Sequence, residues 1–148
     1  MSVSWDEWPA INFGNMTLFT VEQANRTLPL VRKIVEDIVR QHKLWREKIL
    51  ELDLVASSAR AGEPRERAEE LERDAQTLAR EIDGFQRELE QLGILLKDRR
   101  QGLVDFPGEM NGRPVFYCWR YDEPEVQFWH DVDAGYAGRQ PLTPSLVG

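Results

Sequence analysis

Residues 28–52, LPLVRKIVEDIVRQHKLWREKILEL, and residues 68–92, AEELERDAQTLAREIDGFQRELEQL, carry the same spacing of apolar side chains. In the first, the seam reads Leu28, Val31, Val35, Ile38, His42, Trp45, Ile49 and Leu52. In the second it reads Ala68, Leu71, Ala75, Leu78, Ile82, Phe85, Leu89 and Leu92. Both step by 3 and 4 in alternation, the coiled-coil period. If the chain turns back at residue 60, Leu28 meets Leu92, Val35 meets Phe85, Trp45 meets Ala75 and Leu52 meets Ala68, and the two numbers of each pair sum to 120. The pattern predicts two antiparallel helices of about 29 residues, each about 43 Å long at 1.5 Å per residue.

Signals on either side bound this hairpin. Thr20-Val21-Glu22-Gln23 is a capping box, with Thr20 as N-cap and Gln23 three positions on. Pro29 lacks an N–H and clashes with the preceding turn. The expectation is therefore a short N-terminal helix over 21–27, with Pro29 in the first turn of the long one. Ile34 and Val39 widen the apolar stripe early in that helix, which marks where a third layer packs. Residues 57–63 are the hairpin tip, Pro64 opens the second helix, and Gly93 ends it.

Beyond Gly93 the period changes. Residues 94–97, 103–106, 115–121 and 125–130 read as short strands, with Asn111-Gly112 as the strong hairpin dipeptide. They predict a small antiparallel meander of three or four strands at the hairpin's open end. The fold class is α+β in a single domain over 1–148. It comprises a tail over 1–19, helices over 20–56 and 64–93, the meander over 94–131, and a Gly-rich loop and tail over 132–148. Trp5, Trp8 and Phe13 read as aromatics that tie the N-terminal tail to the core.

Composition narrows the function classes. The chain has 148 residues and a net charge of −7. A nucleic-acid binder needs a basic face, and Arg99-Arg100 is the only notable basic pair, so nucleic acid is not an expected partner. No run approaches the roughly 18 apolar residues of a membrane span. The segment MSVSWDEWPA has neither a basic n-region nor an apolar h-region, so it does not read as a secretory signal. The single Cys118 rules out an internal disulfide. A reducing cytoplasm fits all of this.

Five stretches of the chain are recognisable together. FTVEQANRTLPLVRKIV at 19–35, LGILLKD at 92–98, GLVDFP at 102–107, YCW at 117–119 and FWHDVDAGYAGRQPL at 128–142 resemble the bacterial family catalogued as domain of unknown function 2203. The resemblance spans nearly the whole chain. It implies no catalytic residues, because none are established for that family.

The polar residues of the second half are the candidates for chemistry: Asp98, Asp105, Glu123, His130, Asp131, Asp133 and Arg139. A divalent metal would use His130 with carboxylates, Asp105 first among them. The alternative is that His130 packs inward with one hydrogen bond. Cys118 and His130 lie on adjacent strands, the arrangement of a Cys–His nucleophile, against which stands a buried, inert thiol. Gly135-Tyr136-Ala137-Gly138-Arg139 would either cradle an anion or close on the sheet through an ion pair of Arg139 with Asp105 or Asp131. His42, on the seam with no second ligand near it, reads as a register residue.

Two functions follow. The first is an interaction protein that forms a homodimer through the hairpin, because Leu44, Leu50 and Leu54 lie off the seam where a lone hairpin leaves them wet. The second is a small enzyme or a metal- or anion-binding protein with its site around Asp105, His130 and Arg139.

Overall fold

The computed structural model describes residues 16–58 and 65–143. The tail aromatics Trp5, Trp8 and Phe13, most of the hairpin tip, Pro64 and the last five residues lie outside the described residues. Helix α1 spans Val21–Ser58 and α2 spans Arg65–Gln91. Among the described residues the strands are β1 (Leu95–Asp98), β2 (Leu103–Met110), β3 (Arg113–Arg120), β4 (Phe128–Asp131) and β5 (Gln140–Pro141), with a 3-10 turn at Tyr136–Gly138. The sheet is an antiparallel meander in the order β1-β2-β3-β4-β5. No helix among the described residues is long and apolar enough to cross a membrane.

The capping box forms as its spacing requires. The Thr20 N–H donates to Gln23 Oε1 and the Gln23 N–H donates to Thr20 Oγ1, both at 3.0 Å. The expected break before Pro29 does not occur: α1 runs through it as one helix. A helix-interior proline removes one hydrogen bond and costs roughly 3 kcal/mol. Tertiary contacts on both sides of the ring oppose that cost. Leu28, Val31, Ile34 and Val35 are buried. Asn25 Oδ1 accepts from the Val126 N–H at 2.7 Å, and Arg32 donates to the Pro124 carbonyl at 3.0 Å. The helix is pinned to the β3–β4 connection on each side of the proline, so propensity does not decide.

The two helices pack along the seam. None of its sixteen residues is exposed. Two cross-helix ion pairs, Lys48–Asp74 at 3.6 Å and Arg67–Glu51 at 2.5 Å, fall on either side of the 120 register. The fully buried residues of α1 all lie at or before Ile38, on the half that faces the sheet. Farther out the α1 side of the seam is only half-buried, while Leu71 and Ala75 of α2 remain buried against it.

Helix α2 ends in a Schellman motif. Gly93 adopts φ +85°, its N–H bonds to the Glu90 carbonyl, and the Ile94 N–H bonds to the Leu89 carbonyl. The chain is thereby turned into β1. The β1–β2 turn is tied by Asp98, whose carboxylate accepts from the Arg100 and Gln101 N–H groups at 2.7 and 3.0 Å. At the β2–β3 turn Asn111 and Gly112 both take positive φ (54° and 79°), as a type I′ turn demands. A fifth strand, β5, pairs with β4 through Trp129 and Gln140. It extends the three or four expected strands.

Strand pairing sorts the side chains onto two faces. Val104, Phe106, Val115, Tyr117, Trp119 and Trp129 join Val31, Val35, Ile38, Ile82 and Leu89 in the main core. The opposite face carries Asp105, Phe116, Cys118, Phe128 and His130, with Phe116 packed against Val132 and Leu95 in a second, smaller core.

The turn into β2 is pressed against α1. A Cβ at Gly102 (φ +70°) would lie 2.7 Å from Val35 Cγ1 and 2.9 Å from Val39 Cγ2, whereas one at Gly112 (φ +79°) would meet nothing. Gly112→Ala should cost only the left-handed strain of about 1–2 kcal/mol. Gly102→Ala adds overpacking of about 1–3 kcal/mol. Urea unfolding of both variants should show Gly102→Ala the less stable, and equal losses would contradict this packing.

Candidate functional site

The second face of the sheet holds a closed polar cluster. Asp105 on β2 is paired directly with Cys118 on β3, and His130 on β4 pairs with Phe116, one step diagonally from Cys118. All three side chains therefore point to the same side. Asp105 is 1% exposed, His130 2% and Cys118 0%. Their donor atoms lie within 4.8 Å of one another.

Hydrogen bonds fix the imidazole. His130 Nε2 lies 3.1 Å from both carboxylate oxygens of Asp105. Its Nδ1 lies 2.7 Å from the Asp131 carbonyl, which can only accept, so Nδ1 carries a proton. Burial pulls the pKa of His130 down, but the hydrogen bond and charge of Asp105, with the Asp131 carbonyl, raise it on balance above 6.5. An imidazolium facing a carboxylate satisfies both buried groups. Burial, then the Asp105 charge, push the Cys118 thiol up to about 12, against the opposing effect of Arg139. As it stands, that thiol is a poor nucleophile. A Cys–His dyad is not formed, because both ring nitrogens already have partners.

Arg139 roofs the cluster. Its guanidinium donates to both oxygens of Glu123, at 3.0 and 2.6 Å, and Nη1 lies 3.9 Å from Cys118 Sγ. It stacks 3.9 Å from the Phe128 ring centre and 4.4 Å from that of Tyr136. The expected pairing of Arg139 with Asp105 or Asp131 does not form. Asp105 is taken by His130, and Asp131 pairs with Arg113 at 3.1 Å. Glu123 reaches Arg139 because it sits in a tight turn at the end of β3, where its Oε1 also accepts from the Arg120 N–H at 2.7 Å.

The candidates divide accordingly. Asp105 and His130 meet directly, and Arg139 and Glu123 meet beside them, with Cys118 between the two pairs. Asp98 caps a turn, Asp133 is exposed, and Asp131 contributes its carbonyl to His130. The Gly-rich loop makes internal bonds: the Gly138 and Arg139 N–H groups donate to the Gly135 and Tyr136 carbonyls. These groups are therefore not presented to an anion. His42 stacks on Trp45, and its Nδ1 is buried without a partner among the described residues. Burial, then Arg46, lower its pKa, so it stays neutral.

Cys118 is the residue that sequence reasoning placed on an adjacent strand but did not join to Asp105. The signal that joins them is strand register, which a one-residue slip would reverse.

The Arg139–Glu123 pair is buried, with side chains 12% and 10% exposed. Arg139→Met or Glu123→Gln alone should cost about 3 kcal/mol, because each leaves the other group unpaired. The double variant should cost less than the two together, with a coupling of about 1–3 kcal/mol by urea unfolding. Strict additivity would show that the pair contributes nothing as a pair.

No curated protein matches the chain, and no solved structure matches it. One family does, over residues 17–142, under the description "Uncharacterized conserved protein (DUF2203)". That span takes in both helices, all five strands and every residue of the cluster, and the chain belongs to this family.

Proposed function

We propose that this is an interaction protein that self-associates through its helical hairpin. The carrying observation is the outer half of α1. Leu44, Leu50 and Leu54 are 43%, 61% and 69% exposed, all beyond Ile38, the last buried residue of α1. A buried leucine contributes about 1.5–3 kcal/mol relative to an exposed one, and a two-fold axis counts each twice. A second hairpin laid on these leucines completes a coiled-coil-like four-helix bundle. The acidic chain and its charged helices suit a cytoplasmic protein and disfavour nucleic acid.

Light scattering at micromolar concentration should return the mass of a homodimer, and Leu50→Glu with Leu54→Glu should reduce it to a monomer. A monomer mass for the unmodified chain, unaffected by that double substitution, would refute the arm as an interface.

A second reading, a ligand-binding protein or small enzyme centred on Asp105 and His130, is favoured by one observation: Asp105, Cys118 and His130 converge while buried. The cluster lies under a loop rather than in an open cleft, which suits a bare ion better than an organic substrate. The Arg139 charge is already met by Glu123, so a divalent metal fits this reading better than an anion does.

A further inference from the structure

We propose that Asp105, Cys118 and His130 bind one divalent transition ion of the zinc class, with Cys118 as its thiolate donor. This names the cation for the metal reading above and rests on it; it is independent of the hairpin interface.

The donor set points to that class. It offers one oxygen, one nitrogen and one sulfur, from three neighbouring strands. Magnesium and calcium are held by several oxygens, and a single carboxylate does not supply them. Imidazole with thiolate is the pairing that zinc and cobalt select.

Geometry supports it. At metal–donor lengths of about 2.0–2.3 Å, tetrahedral donors stand about 3.3–3.8 Å apart. His130 Nε2 and Asp105 are already at 3.1 Å, and no donor pair exceeds 4.8 Å. Closing on an ion requires shifts of about 1 Å, within the reach of a cysteine rotamer.

The surrounding bonds are those that a metal-binding histidine uses. The Asp131 carbonyl holds the proton on Nδ1, which leaves Nε2, facing Asp105 and within 4.8 Å of Cys118 Sγ, as the nitrogen for the ion. The Arg139 guanidinium, oriented by Glu123, stands 3.9 Å from Cys118 Sγ and favours its anionic form. One carboxylate and one thiolate balance a 2+ charge, with the imidazole neutral, so a buried site closes without net charge. Three protein donors leave the fourth tetrahedral position to water.

The test uses the full chain, first stripped with a chelator and then titrated with Co²⁺. One Co²⁺ per chain should bind, with sulfur-to-cobalt charge transfer in the near ultraviolet and visible bands of tetrahedral intensity, and Zn²⁺ should displace it. Cys118→Ser should abolish the charge-transfer band and weaken binding by about tenfold or more, as should His130→Asn for affinity. Asp133→Asn should change neither. X-ray absorption of the zinc-loaded unmodified chain should place one sulfur at about 2.3 Å, which tests the proposal even if the variants fold poorly. Failure to bind Co²⁺ in the micromolar range would overturn both this proposal and the metal reading. Binding through oxygen and nitrogen alone, or equal competition by Mg²⁺, would overturn the thiolate site and leave the broader reading standing. Repeating the titration on Leu50→Glu with Leu54→Glu separates either result from the fate of the hairpin interface.

Discussion

Glu123 is where the layers of this molecule are tied together. Its backbone carbonyl accepts from the Trp119 indole at 3.0 Å and from Arg32 of α1 at 3.4 Å. Its carboxylate accepts from the Arg120 N–H and grips Arg139. One buried residue thus links the first helix, the main core, the end of β3 and the loop that covers the second face. A buried carboxylate is costly unless its oxygens are fully met. Here the charged guanidinium and a backbone N–H meet them, and that requirement positions the loop over Cys118.

The two faces of the sheet consequently serve different ends. The face toward the hairpin is apolar and large: Trp119, Phe106 and Val104 are fully buried against Val31, Val35 and Ile38. Its packing anchors the first half of α1. The other face is small and mixed, and it brings three metal-type donors together away from solvent. Burying Asp105 and His130 there gives no packing advantage over two apolar residues of similar size. The proposed ion would account for the burial of such a pair where stability does not. The arm follows a third logic, since its seam is complete while its outer surface keeps large leucines in water.

Legibility in the sequence followed the range of the interactions. The hairpin was readable because a heptad repeat is a local property, carried by sixteen seam positions along two helices. Gly93 and Asn111-Gly112 were readable because a positive φ selects for them. Pro29 misled, because its local penalty is outweighed by Asn25 and Arg32 reaching residues about a hundred positions away. Strand β5 has two residues and no periodicity to show. Asp105, His130, Glu123 and Arg139 were all visible as candidates, yet their pairing was not. Which carboxylate takes Arg139 depends on register and on a loop path that only the folded sheet defines, and the same register decides that Cys118 joins them.

If the hairpin self-associates as proposed, the sheet end is one cooperative unit while the outer arm depends on a partner. Native-state hydrogen exchange at two protein concentrations tests it most directly. Residues 21–38 of α1 should exchange together with β2 and β3, as slowly as global unfolding and independently of concentration. Residues 44–58 should exchange faster in dilute protein and slow down as concentration rises. Uniform protection along the whole of α1, unchanged by concentration, would contradict the account.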